Sequence, residues 1–405
     1  KNQHGFRQKL SCETQLVEAV HDWSQTLDAS GQVDVVLLDF SKAFDKVPHQ
    51  RLLNKLEYYG VRDKNLSWIQ SFLSGRRQRV VINGSQSEWC EVTSGVPQGS
   101  VLGPSLFLVF INDIVDDTSS SIRLFADDSV IYKNIETYND HLVLQEDINK
   151  LFSWSERWQM SFNVQKCYVL SITRKTVWKS CYTYTMSDQD LPVVSSSKYL
   201  GVTISDKLKW SDHIKDVTAG SRKVLGLLER NLSQCPEKVK ESAFFALVRP
   251  KLEYSTPAWN PYLDKDVNEL EKIQRRAARF VSGNYSQYSS VSEMISRLNW
   301  DSLEYRRTMS SLTLFFKIHY GLVNIHFPPC VVPKRILRSS SGHPHQYIQV
   351  PSKKDSFRYS FFVRTVPLWN SLSYNTVCCE STDTFKGAVH PEIASLQTTV
   401  GCKRI

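Results

Sequence analysis

The sequence predicts an α+β fold over its first half and a helix-rich region after it. The first half alternates short strand-forming runs with amphipathic helical ones. Two of its strand signals end on carboxylates, at Asp39 and at the adjacent pair Asp127-Asp128. Charge separates the halves: residues 1–205 carry 21 Lys+Arg against 23 Asp+Glu, and residues 206–405 carry 29 against 18, within a total of +9. At 405 residues two or three domains are expected, and a 41% hydrophobic composition can fill their cores. The expected boundaries are 1–205, 206–325, and a linker with a small C-terminal region over 326–405.

Leu16, Val20, Trp23 and Leu27 share one face of a helix over 11–27, which Gly31-Gln32 ends. Val33 to Asp39 is mostly apolar and reads as a buried strand with Asp39 at its C-terminal end. Pro48 falls in the first turn of a helix that stops at Gly60, and 66–73 is a further helix. Residues 77–85 read as a hairpin turning at Asn83-Gly84. Gly95, Gly99 and Gly103 mark a loop before a buried helix over 106–114. Ser121 to Tyr132 reads as a hairpin with Asp127 and Asp128 at its tip. A helix over 146–160 places Trp154 and Trp158 in the core, and 169–173 and 179–185 read as strands.

Two like charges at a hairpin tip cost stability unless a cation lies between them. A surface Asp-Asp turn has the same appearance when met alone. Asp39, at the end of a buried strand, changes the balance. Three carboxylates on adjoining strand ends suit hard divalent ions with oxygen ligands, the arrangement used for in-line nucleotidyl transfer. Gln98 offers an uncharged donor and acceptor at the mouth of the glycine loop.

Together, Leu37–Pro48, Ser94–Leu106 and Phe125–Asp128 resemble motifs A, B and C of the reverse transcriptase domain of non-LTR (LINE-type) retrotransposons. Asn163-Val164-Gln165-Lys166-Cys167 is similar to motif D, and Lys198-Tyr199-Leu200-Gly201-Val202 to the primer-grip motif E. Gln3-His4-Gly5-Phe6-Arg7 is similar to the end of a fingers motif, and weaker likeness extends to Phe361–Arg364 and Leu368–Leu372. The resemblance implies a polymerase palm with partial fingers, then a helical thumb. It implies an RNA-directed DNA polymerase working with an RNA template, a DNA primer and dNTPs. Asp39, Asp127 and Asp128 are then the catalytic metal ligands, holding two Mg²⁺ ions, with Mn²⁺ as the alternative ion. Lys166 becomes the proton donor to the leaving pyrophosphate and Phe44 the bulky gate beneath the sugar. Gln98, Gly99 and Ala126 line the incoming nucleotide. Arg7 becomes a phosphate or template contact, and Tyr199, Leu200 and Gly201 touch nucleic acid.

In the second half the main helices are expected over 207–228, 237–252 and 265–282. Leu270, Ile273, Ala277 and Phe280 share one face of the last; Lys272, Arg275, Arg276 and Arg279 share another. A solvated basic face is one reading. The other is a thumb helix that holds backbone phosphates without reading sequence. Ala243–Val248 reads as core. Residues 335–350 read as a polar linker with solvated His343 and His345, and the last fifty residues show strand-like patches.

The nine cysteines contain no Cys-x-x-Cys pair, so reduced thiols in an intracellular, nuclear or cytoplasmic protein are expected. Cys378, Cys379 and His390 fit no zinc spacing. No membrane-length apolar stretch or secretory signal occurs. The chain starts at Lys1 within a motif, so it reads as a fragment with further fingers and an endonuclease expected upstream. The rival readings are a non-catalytic nucleic-acid-binding remnant, an RNA-templated RNA polymerase, which Phe44 opposes, and an intron maturase.

Overall fold

Val33, Val35, Val36 and Leu38 make Gln32–Leu38 a strand buried almost throughout, as the central strand of a sheet must be. The structure is a computed structural model that describes residues 2–175, 181–335 and 342–400, the last seven of these without side chains. The chain forms two units, Lys1–Gln15 with Gly31–Ser195, and Leu16–Ser30 with Ser196–Ile405.

In the first unit Gln32–Leu38 pairs antiparallel with Asp128–Ile135 on one side and Tyr168–Thr173 on the other. Ser121–Phe125 completes a four-stranded sheet by pairing with Asp128–Ile135. Helices His49–Tyr58, Asp63–Leu73, Leu102–Ile111 and Tyr138–Arg157 follow the expected order, and helix Cys12–Asp28 belongs mostly to the second unit. Phe107, Phe110 and Ile111 from the apolar helix meet Leu144, Ile148 and Leu151 and the sheet residues Val36, Ile131 and Val169 in one core. Each such side chain contributes about 1.5–3 kcal/mol on burial. This is the α+β arrangement that the sequence predicts. The Asn83-Gly84 turn is also present, with both residues at positive φ between Val81–Ile82 and Ser85–Gln86.

The helix expected over 146–160 begins earlier, at Tyr138. The Asp140 carboxylate accepts from the backbone N–H groups of Glu136 (3.1 Å) and Thr137 (2.8 Å), which fixes the start. The strand expected over 179–185 does not form as such. Residues 179 and 180 lie outside the described residues, and only Thr185–Met186 pairs, with Gln189–Asp190.

In the second unit a hairpin, Ser196–Tyr199 with Val202–Ser205, precedes helices Ser211–Asn231, Glu237–Leu247, Arg249–Glu253, Asp264–Ser282 and Leu303–His319. The helix expected over 237–252 is split, because Pro250 has no N–H to continue the ladder and starts a new helix instead. Phe244 is fully buried and stacks on Trp300, as a core residue should. The C-terminal region is helical, contrary to the strand-like reading. In helix Phe361–Asn370, Phe361, Phe362, Thr365, Val366 and Trp369 are buried at the spacing of one helical face, and Val363 is buried beside that face. The linker reading also fails in the described part. His343 is buried, with Nε2 3.0 Å from the Trp369 carbonyl, and Trp369 Nε1 donates to the His345 carbonyl at 2.8 Å. The polar composition there supplies hydrogen bonds for a packed segment.

Candidate active site

The register of the sheet builds the site. Leu38 is opposite Ser129, so the next residue, Asp39, leaves its strand beside Asp128, the first residue of the neighbouring one. Phe125 pairs with Asp128 and leaves Ala126-Asp127 as a two-residue turn. Ala126 is buried and held at φ 56, a left-handed conformation that costs an alanine about 1 kcal/mol or more and needs support.

Gln3 supplies that support. Its Oε1 accepts from the Ala126 N–H at 2.9 Å and from the Gly5 N–H at 2.7 Å. The Leu124 carbonyl accepts from the His4 N–H, and the Leu124 N–H donates to the Asn2 carbonyl. A Cβ at Gly5 would stand 2.3 Å from the Ala126 nitrogen, so only glycine allows the two segments to lie so close. Arg7, the residue in this segment that the sequence points to, is exposed two positions later. Gln3 carries no signal of its own. It lies in the same short segment as Arg7, but nothing there distinguishes it.

Burial, first, and then neighbouring carboxylates push both acids of the turn upward. Asp127 is raised by desolvation and by Asp39; Asp128 is raised to about 6 by desolvation, Asp127 and Asp39. The Asp128 side chain is itself exposed, so water screens part of that shift. None of the three acids forms an ion pair with Lys, Arg or His among the described residues. Concentrated, unpaired carboxylate oxygens are the donor set for hard divalent cations. The structure brings the three residues to one end of the sheet, where its two central strands meet the acid turn. As placed, it does not close three acidic, His or Cys side chains on a common point among the described residues.

Two further segments are tied to Asp39 or to the turn after it. The Asn163 N–H donates to the Asp39 carbonyl at 2.7 Å, and the Phe40 and Phe162 rings stack at 4.2 Å. This anchors the turn Val164–Lys166, where Lys166 is exposed. Cys167 is buried behind Asp39, and burial pushes its thiol up to about 11. On the other side, Val96 and Gly95 donate to the carbonyls of Phe44 and Val47, each at 2.8 Å. Ser94 Oγ donates to the Asp45 carbonyl and Gln98 Nε2 to Asp45 Oδ1, both at 2.8 Å. Gly95 sits at φ +88, and a Cβ there would be 2.7 Å from the Asp45 Cα. Asp45 therefore fastens the Gln98 loop to the segment after Asp39, a role that nothing in the sequence marked. Phe44 is half-buried, stacked on Phe107 at 4.3 Å and edge-on to Phe6 at 6.2 Å. Gly99 is exposed at φ +78 with open space around it.

The remaining candidates belong to the second unit. Leu200-Gly201 turns the 196–205 hairpin, with both residues at positive φ. Tyr199 and Leu200 are buried, and the Leu200 carbonyl accepts from Tyr254 Oη at 3.1 Å; Gly201 and Lys198 are the exposed part. On the Asp264–Ser282 helix Lys272, Arg275 and Arg276 are exposed and Arg279 half-buried. Lys272 pairs with Glu269 at 2.6 Å and Arg276 with Glu229 at 2.5 Å.

Residues 1–204 match the family described as reverse transcriptase (RNA-dependent DNA polymerase). The chain is similar to the "Probable RNA-directed DNA polymerase from transposon BS" of Drosophila melanogaster, 29% identical over 300 residues, 69% of this chain and 32% of that protein. It is similar to the RNA-directed DNA polymerase from mobile element jockey of Drosophila melanogaster, 28% identical over 297 residues, 70% of this chain and 32% of that protein. The chain thus spans about a third of the length of the curated relatives it matches. A solved structure of telomerase from Candida albicans, in complex with a TWJ fragment of telomeric RNA, aligns over 75% of this chain and 56% of that one. That alignment has 12% identity and a TM-score of 0.41. No described helix is long and apolar enough to cross a membrane.

Proposed function

Because the chain belongs to the reverse transcriptase (RNA-dependent DNA polymerase) family, we propose that it extends a DNA primer on an RNA template, as the polymerase part of a non-LTR retrotransposon protein. The sheet register that sets Asp39 beside the Ala126-Asp127 turn carries this reading. Asp39 and Asp127 are the ligands for divalent ions, Mg²⁺ in the first instance, and Asp128 supports them. Bound there, such ions supply the positive charge that activates a primer hydroxyl and offsets charge on the departing pyrophosphate. Gln3 holds the acid turn in place. Asp45 holds Gln98 at the mouth of the loop, where its amide can meet an incoming dNTP. Phe44, braced by Phe107, forms a wall for the sugar. Lys166, on a turn anchored to Asp39, gives a proton to the leaving group. Arg7 and the Lys272–Arg279 face hold phosphates of the template and primer, and the exposed Gly201 end of the hairpin turn meets the primer.

Primer extension by the whole chain on poly(rA)/oligo(dT) with Mg²⁺ tests this. Extension that is lost in Asp127→Asn, while nucleic-acid binding persists, is the expected result. Binding without extension by the parent chain favours the non-catalytic remnant, and extension by Asp127→Asn at the parent rate overturns the assignment of the metal ligands.

A further inference from the structure

Beside the basic helix of the second unit lies a cavity of about 580 Å³ lined by Glu229, Arg275, Arg276, Arg279, Tyr285 and Val291. Its floor is already neutralised. Arg276 makes two bonds to Glu229, at 2.9 and 2.5 Å, which join the Ser211–Asn231 and Asp264–Ser282 helices. Arg279 Nη1 donates to the Ser286 carbonyl at 2.9 Å and so fixes the loop that carries Tyr285 and Tyr288 against the helix. Among the described residues neither Arg279, so oriented, nor Arg275 makes an ion pair, and the carboxylate acting on Arg275 is that of Glu271, beyond ion-pair distance. The two tyrosines are 62% and 89% exposed.

Arginines alone would suit a free phosphate or the backbone of a duplex. Neither of those ligands uses aromatic faces, because duplex bases are stacked on one another. An unpaired nucleotide uses both, placing its phosphate on the cations and its base on a ring. The cavity volume is within the range of small-ligand sites and accommodates one nucleotide. We propose that this cavity binds an unpaired nucleotide of single-stranded nucleic acid, the phosphate at Arg275 and Arg279 and the base against Tyr285, with Tyr288 taking the neighbouring base. The polymerase reading is needed only to bring such a strand to the chain.

Fluorescence anisotropy of the whole chain with a labelled oligo(rA) strand, and with a blunt duplex of matched length, tests the site. Tyr285→Ala should weaken single-strand binding roughly 5- to 150-fold and leave duplex binding unchanged. Tyr285→Phe keeps the ring and should bind as the parent does. The salt dependence should stay the same in both tyrosine variants and become shallower in Arg275→Gln by about 0.7 in slope. Equal loss for strand and duplex, or no loss for either, overturns the proposal. So does displacement of the strand by inorganic phosphate or poly(Glu) that is as effective for Tyr285→Ala as for the parent, because that pattern marks a plain anion or acidic-protein site. A parent chain that binds no nucleic acid overturns both this site and the polymerase reading. A parent that extends primers while Tyr285→Ala binds normally removes this site alone.

Discussion

Around the Phe125–Asp128 turn, Asp127 and Asp128 stand near Asp39 without a cationic side chain bonded to any of them among the described residues. Along the Asp264–Ser282 helix several charges are instead matched: Arg276 with Glu229, and Glu269 with both Lys272 and Arg222 of the Ser211–Asn231 helix. Both regions are dense in charge, and the difference is in what each leaves unmet. Exposed pairs such as those of the helix are worth about 0–1 kcal/mol each and ask for nothing further. Crowded carboxylates lower stability until a cation arrives, so unmet charge of this kind marks a candidate ligand site. Charge density alone therefore says little about function; unmatched charge says more.

The largest expected effect comes from removing one of the unmatched charges. Asp127→Asn should lower primer extension by several orders of magnitude and, in metal-free buffer, raise the melting temperature. The sign follows from the upward shifts. A carboxyl whose folded pKa lies above its unfolded value of about 3.9 favours the folded state at low pH, and that advantage disappears as pH climbs through the folded value. Metal-free parent protein should thus lose stability between about pH 4 and the Asp128 value of about 6. Asp127→Asn should lose less over that window. Thermal melts in EDTA across the range measure this. A variant that melts lower than the parent at neutral pH would show that Asp127 serves the fold, and the contrast between the two regions would collapse.

The second effect concerns selectivity within the first unit. Phe44 is braced by Phe107, a ring fully buried in the core. A wall that cannot recede rejects a substrate with one extra hydroxyl by steric overlap. Phe44→Val should shift the rNTP/dNTP preference toward ribonucleotides by roughly 10- to 100-fold. Single-nucleotide incorporation gives the ratio. An unmoved ratio in a folded variant makes Phe44 an ordinary core aromatic that happens to lie near the acids.

What was legible in the sequence divides along the same line. Strand Gln32–Leu38, the acid hairpin and the Asn83-Gly84 turn are local patterns, so alternation and turn residues revealed them. Asp39, Phe44, Gln98 and Lys166 were visible because each belongs to a short motif. Gln3, Asp45 and Ser94 also lie in such motifs, yet their roles were not visible, since their partners are 123, 53 and 49 residues away or are backbone atoms that carry no residue identity. The C-terminal helices were missed because Phe361, Phe362, Val363 and Val366 are β-branched or aromatic residues with strand propensity, which burial on one helical face overrode. His343 was misjudged for a similar reason: its partner is the Trp369 carbonyl, and polar composition does not distinguish a solvated loop from a hydrogen-bonded one.

The third effect sharpens the contrast on the helix itself. If unmatched charge is what binds, Arg275→Gln and Arg279→Gln should each make the log K against log salt slope shallower by about 0.7–0.9. Arg276→Gln should change the slope much less, because its two bonds to Glu229 already use its donors. It should instead release Glu229 and weaken binding by repulsion. Equal slopes for all three variants would mean that pairing in the free protein does not predict which arginine reaches phosphate.

The smallest effect tests a charge in the first unit that is buried and matched. Lys55 is 4% exposed; its Nζ lies 2.6 Å from Asp113 Oδ1, donates to the Phe110 carbonyl at 2.5 Å and sits 3.7 Å from the Trp158 ring centroid. Desolvation lowers its pKa from 10.5 to about 8, against the pull of Asp113. Between those values the unfolded chain holds a proton that the folded chain has shed, so stability should rise with pH across the window, opposite in sign to the acid turn. The gain from this one group is about 1.6 kcal/mol between pH 8 and 9.5, under the ceiling of about 1.4 kcal/mol per unit. Urea midpoints for the parent and for Lys55→Met, compared from pH 7.5 to 9.5, isolate it. The stability difference should move in the parent's favour as pH rises. A flat difference would mean that Asp113 and the Trp154, Trp158 and Phe110 rings keep the proton on Lys55, and that a well-matched buried charge in this fold does not respond to pH at all.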